Sequence, residues 1–274
     1  MGMDDTTQTS SDPERSKSQG GVTRVIRIVG WTSIVAGLLI LGFVAQQLFV
    51  TTWFAQQNQA ALADEAQTHF DEAEITEVEY VPPSSVVSAG DTTTTLPSGA
   101  VTPGAGGSQT DTGAPVVPKK KKRTILVESQ PTLGKAFAII RIPKIDRLKD
   151  GWTVVEGVRV RDLRNGAGHM PKTPLPGEPG NAVISGHRTT YGAPFHELDT
   201  LDPGDIIEVE TALGTHTYAV RETIIVRPTE LWVTEPRDGA WLTLTTCNPK
   251  FSSRQRLIVF AELIDGPNWE TIYA

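Results

Sequence analysis

From Ile28 to Ala63 the chain carries no Asp, Glu, Lys or Arg, and the first part of that stretch, Ile28 to Val50, is a predominantly apolar run of 23 residues. As a helix this run reaches roughly 34 Å, enough to cross the ~30 Å hydrocarbon layer of a bilayer. Core helices of soluble folds rarely go so far without a charge. Trp31 and Trp53 flank the run, as interfacial aromatics do. A cleaved secretory signal is the rival, because Ala61-Leu62-Ala63 has the small-x-small form of a cleavage site. That site, however, lies thirteen residues beyond Val50, and the run is longer than the apolar region of a signal, about 7–15 residues. The sequence therefore predicts one uncleaved transmembrane helix over residues 28–50.

Flanking charge gives its direction. Arg15, Lys17, Arg24 and Arg27 precede the span, and the first charges after it are Asp64, Glu65, Asp71, Glu72 and Glu74. The excess of cations before the span puts the N-terminus in the cytoplasm and the rest of the chain outside. Residues 1–27 then form a polar cytoplasmic tail. Residues 51–123 read as an extracytoplasmic stalk and linker. Good helix formers fill residues 54–80, whereas residues 81–118 are dominated by Pro, Gly, Ser, Thr and Ala with no aromatic, the composition of a flexible spacer. The spacer ends in the basic run Lys119–Arg123, which reads as a solvated charge run or a contact with anionic lipid or wall polymer.

Residues 124–274 are the folded domain. Short β-rich runs such as FAIIRI (137–142), NAVIS (181–185), DIIEVE (205–210), WLTLTT (241–246) and RLIVFAEL (256–263) alternate with turn compositions such as PGEPGN and DPGD. No long helical period separates them. That pattern predicts a mainly β, mostly antiparallel domain, closed as a barrel or stacked as a sandwich. The net charge of −7 argues against a nucleic-acid partner. One cysteine in 274 residues excludes an intrachain disulfide and a multi-cysteine zinc site.

That cysteine, Cys247, closes the run WLTLTT and opens a loop, where a strand presents a nucleophile to solvent. A thiolate needs an imidazole, a cation or a helix N-terminus beside it. Histidines stand at 69, 169, 187, 196 and 216, and His187 repeats the cysteine's pattern: the strand NAVIS, then Gly186, then His187. Arg254 and Arg256 precede the last strand, and either guanidinium suits an oxyanion. Spacing alone leaves structural and catalytic roles for these residues equally open.

The stretches AIIRIPKI (138–145), LPGEPGNAVISGHRTTYGAPFHELDTLDPGD (175–205) and LTLTTCNPKFSSRQRLIVFAEL (242–263) resemble the sortases, membrane-anchored cysteine transpeptidases of Gram-positive surfaces. Within that family TLTTCNPKFSSRQRLIV and GHRTTYGAPF most resemble class E of high-GC Gram-positive bacteria, although Asn248 follows the cysteine where His is common in that class. The resemblance implies an eight-stranded β-barrel. It implies Cys247 as nucleophile, His187 as general acid/base and Arg256 as oxyanion ligand. The family binds its motif around the catalytic end, so Tyr191 and Phe195 in the loop after His187 and Thr246 beside Cys247 are candidate peptide contacts, the alternatives being that Phe195 anchors the loop to the barrel core and that Thr246 faces the other side of its strand.

The implied reaction cleaves a C-terminal LPXTG- or LAXTG-type motif between Thr and Gly and passes the surface protein to a peptidoglycan-precursor amine. No cofactor or metal is implied, and no insertion between Ile225 and Cys247 supplies a calcium-binding loop. A cysteine hydrolase with the same triad and a non-catalytic wall-binding ectodomain are the alternatives. An L,D-transpeptidase is disfavoured because Thr246, not Gly, precedes the cysteine.

Overall fold

The computed structural model describes residues 19–46, 51–82 and 123–274. Most of the predicted cytoplasmic tail, the end of the predicted span at residues 47–50, and the predicted spacer with its lysine run at residues 83–122 lie outside the described residues. The chain divides into two units, residues 1–51 and 52–274.

The first unit is helix α1, Gln19–Ala45. Its Thr23–Ala45 stretch has a mean hydropathy of 2.2 and is long and apolar enough to cross a membrane. Val29, Leu38, Leu39, Ile40, Leu41 and Phe43 are all exposed on it. A core helix would bury one face, and α1 buries none.

The second unit is built on a closed barrel of eight strands. These are β3 (Ala136–Arg141), β4 (Trp152–Glu156), β5 (Ala167–His169), β6 (Gly180–Ser185), β7 (Ile206–Thr211), β8 (Gly214–Val226), β9 (Ala240–Asn248) and β10 (Gln255–Asp265). Around the barrel they run β10-β8-β7-β3-β4-β5-β6-β9 and back to β10. The β4–β5 and β6–β9 pairs are parallel and the rest antiparallel. The mainly β, eight-stranded barrel expected from the sequence is therefore the one observed.

Alternation along the strands sets its inside and outside. Ala182 and Ile184 of β6, Leu242 and Leu244 of β9, and Leu257, Val259, Ala261 and Leu263 of β10 join the central core. The intervening Ile258 and Phe260 of β10 face outward. There they pack with Val226 and with Val233, which the short 3-10 turn Leu231–Thr234 lays over them.

The folded unit begins at Thr52, earlier than the residue-124 boundary read from composition. Helix α2 (Thr51–Glu72) sets Leu62, Ala66 and Phe70 against Ala136, Ile139 and Val155. The i, i+4 spacing puts those three on one helix face. Gln59 adds two backbone bonds, accepting from the Thr153 N–H (2.9 Å) and donating to the Asn165 carbonyl (2.8 Å). Glu65 accepts from the Ala136 N–H at 3.0 Å and pairs with Lys135 at 2.6 Å. Beyond it, β1 (Ile75–Tyr80) pairs antiparallel with β2 (Arg123–Glu128). The first part of the predicted stalk is thus a layer on the barrel. One narrow apolar stripe among polar residues seats it, which composition over the whole stretch does not display.

Candidate active site

Strand register assembles the site. Cys247 stands next to last in β9, and its neighbours Leu244 and Thr246 are buried on the barrel side. Alternation turns the Cys247 side chain outward, where it is half-buried and free. Across the β9–β10 ladder its partner is Arg256. On the other flank β6 runs parallel to β9, with Ser185 opposite Thr245. Gly186 continues that ladder, donating its N–H to the Thr245 carbonyl at 3.1 Å. His187 follows, level with Cys247. The three residues singled out in the sequence therefore meet at one end of the barrel, on the ends of three adjacent strands.

The local chemistry of each is specific. Arg256 donates from Nη1 to the carbonyls of Ser253 (3.0 Å) and Gln255 (2.9 Å). These bonds hold the guanidinium plane by one nitrogen, and among the described residues its Nε and Nη2 donors have no partner. Arg254 is exposed in the loop and holds no side-chain partner among the described residues. His187 is half-buried, and its Nε2 is sealed from solvent with no hydrogen-bond partner among the described residues. The other four histidines are engaged elsewhere. His169 is fully buried against Glu156 (2.6 Å), His196 donates from Nδ1 to the Arg188 carbonyl (2.8 Å), His216 lies near Thr211 (3.2 Å), and His69 sits in α2 against Phe137.

Residues 140–264 match the Sortase domain family model. The chain is 32% identical over 148 residues to sortase SrtE1 of Streptomyces coelicolor, a match covering 48% of this chain and 41% of that one. It is 35% identical over 121 residues to sortase D of Bacillus subtilis, covering 44% and 58%. The chain thus spans about half the length of these curated relatives. Among solved structures, sortase E from Streptomyces avermitilis is 36% identical, with 49% of this chain and 91% of that chain covered and a TM-score of 0.45. The chain belongs to the sortase family.

The loop after His187 is less uniform in role than the sequence suggests. Phe195 takes the anchoring alternative. It is fully buried in the central core, and its ring lies so close to Gly186 that a Cβ there would sit 2.5 Å from it. Thr246 is likewise turned away. It is buried and donates its hydroxyl to the Gly186 carbonyl at 2.8 Å, riveting β9 to the end of β6. Thr246 faces inward by the alternation of β9, whereas Phe195 is carried into the core by the turn that follows Tyr191.

Tyr191 remains at the surface of the site. Its ring centroid lies 5.0 Å from that of His187, tilted by 41°. Tyr191, Gly192 and Ala193 all take positive φ (52°, 77° and 44°), a tight left-handed turn that side chains other than glycine rarely adopt. Arg147 holds it by donating to the Gly192 carbonyl.

Two arginines that spacing did not single out complete the surroundings in this sortase. Arg188 is buried beneath the site, and Arg164 reaches over the Tyr191 ring at 5.5 Å. Arg188 was visible only as the last letter of GHR. Arg164 had no signal, since it arrives from the far side of helix α3 (Val160–Leu163). Burial first, and the Arg164 charge second, lower the His187 pKa below its ordinary 6.5. Its imidazole is therefore neutral at pH 7 and gains a proton only at lower pH. The acid limb of any His187-dependent rate should accordingly lie below pH 6.5. Removing the Arg164 charge relieves repulsion of the imidazolium, so Arg164→Gln should move that limb upward. A pH–rate profile of the two proteins checks both the position and the sign.

Proposed function

We propose that this sortase is an extracytoplasmic transpeptidase acting on proteins with a C-terminal LPXTG- or LAXTG-type sorting motif. The observation that supports the reading is the register that sets Cys247 opposite Arg256, with His187 one residue beyond the last bond between β6 and β9. Neutral His187 takes the Cys247 proton, and the thiolate attacks the Thr carbonyl of the Thr–Gly bond. The free donors of Arg256 receive the developing oxyanion. The tetrahedral intermediate collapses as His187 returns its proton to the leaving glycine amine, which leaves an acyl-thioester on Cys247. A peptidoglycan-precursor amine then attacks the thioester and gives its proton to His187, and collapse restores the thiolate. Tyr191, half-buried beside His187, is the contact proposed for the bound peptide.

Mass spectrometry of the protein trapped with LAXTG and LPXTG peptides tests the reading. The expected result is an acyl adduct on Cys247, and a product that depends on added amine. An adduct released only by water would instead establish a hydrolase. No adduct with either peptide would remove the transpeptidase reading.

We further propose that α1 anchors the enzyme with its N-terminus in the cytoplasm and the barrel outside. Cleavage after Ala63 would cut α2 in its middle, severing Gln59 and Leu62 from the barrel face they hold. The full-length protein should therefore stay in the membrane fraction through a high-salt wash, with the barrel open to external protease. Appearance of a soluble form beginning at Asp64 would overturn the uncleaved anchor.

A further inference from the structure

Arg188, the residue after His187, is only 3% exposed. A buried guanidinium is costly unless its donors are met, and here four acceptors from three segments meet them. Its Nη1 donates to Asn248 Oδ1 at 2.8 Å and to the Cys247 carbonyl at 3.3 Å. Its Nε donates to the His196 carbonyl at 3.4 Å, and its Nη2 pairs with Asp199 at 2.9 Å. Asp199 lies in the short 3-10 turn Leu198–Thr200, and its other oxygen stands 3.9 Å from Lys250, in the loop beyond Cys247. His196 closes the circuit by donating back to the Arg188 carbonyl at 2.8 Å.

The segments so joined are the loop that begins with His187 and the strand end that carries Cys247. The ladder between β6 and β9 has finished by this point, the last bond being that of the Gly186 N–H. Beyond it, the Arg188 side chain is what connects the two backbones. We propose that Arg188 is a positioning residue: by gripping the Cys247 carbonyl and Asn248 from the His187 loop, it sets the imidazole-to-thiol geometry on which proton transfer depends. It does not touch the reacting atoms. A planar fork with five donors can serve four acceptors in different directions, whereas a lysine ammonium is a point charge on a flexible stem and cannot reproduce that spread.

The inference rests on Cys247 and His187 acting as a pair, and it can be tested without any sorting peptide. Cys247 is the sole cysteine of the chain, so the rate of iodoacetamide alkylation of the full-length protein in detergent reports that thiol alone. The pH profile of alkylation is measured first for the wild type and for His187→Gln, and their difference defines the coupling. Arg188→Lys should shift the profile toward that of His187→Gln while the melting temperature stays close to that of the wild type.

With a peptide that the wild type cleaves, the same variant should lose roughly ten- to hundred-fold in kcat with little change in KM, as expected of a displacement of about 1 Å. Asn248→Ala and Asp199→Asn each remove one acceptor and should move the profile the same way by a smaller amount. If Arg188→Lys unfolds, those two variants decide. A wild-type profile in folded Arg188→Lys, or in both acceptor variants, overturns the proposal, as does a His187→Gln profile identical to the wild type. Failure of the wild type to cleave any peptide would instead count against the transpeptidase reading, and the alkylation profiles would still decide the role of Arg188.

Discussion

Arg256→Ala should slow acylation of Cys247 by roughly 10²–10³-fold, the loss typical when one oxyanion donor is removed, while Arg254→Ala should stay near the wild-type rate. The two arginines stand two residues apart, and only the backbone separates their fates. Arg256 is in β10, its outward direction fixed by the alternation that turns Leu257 and Val259 into the core. The ladder puts it directly across from Cys247. Its Nη1 bonds to the Ser253 and Gln255 carbonyls hold the guanidinium in place before substrate arrives, so no ordering is needed as charge develops. Arg254 has none of these constraints. Arg256→Lys should also lose most of the rate, because an ammonium cannot both hold the loop carbonyls and present a planar pair of donors. Single-turnover acylation of the three variants checks the order. Equal losses at 254 and 256, or a greater loss at 254, would move the oxyanion role off Arg256.

The residues of this site were legible in the sequence to unequal degrees, and the reason is geometric. Cys247, His187 and Arg256 each adjoin a strand written plainly as an apolar run, so chain position alone sets which end of the barrel they reach. The barrel itself was legible for the same reason, except for β4, which was not among the apolar runs, and β5, whose three residues Ala167–His169 give no periodicity to read. The helix foreseen over residues 54–80 ends at Glu72, residues 75–80 forming β1 instead, and the docking of α2 was not foreseen, because Gln59 and Glu65 act through backbone groups of distant strands. Phe195 lies eight residues past His187 in a turn whose burial has no strand period, whereas Thr246 adjoins Cys247 yet faces away from it. A one-residue step along an extended chain reverses the side chain, and adjacency in sequence says nothing about that sign. Arg164 and Arg188 act across segments, through contacts that only the closed barrel creates.

Phe195→Ala should produce the largest loss of stability among the variants considered, about 3–5 kcal/mol for a fully buried phenylalanine. For a folded unit of this size each kcal/mol lowers the melting temperature by about 2–4 °C, so the fall should be roughly 6–20 °C. The ring does more than fill volume. It closes the loop that starts at His187, whose carbonyl accepts the Phe195 N–H at 3.1 Å, and it packs flat on Gly186. Gly186 in turn links β6 to β9 through its own N–H and through the Thr246 hydroxyl. Gly186→Ala should therefore be destabilising as well, since the new methyl would meet the Phe195 ring at 2.5 Å. The two changes share one space, so their effects should not add. Gly186→Ala combined with Phe195→Leu should cost less than the sum of the single variants, because the smaller side chain makes room for the methyl. Denaturant titration of the four proteins measures the cycle. An additive result would show that the loop moves off Gly186 to accept the methyl, and that the Phe195 ring does not hold His187 against the end of β6.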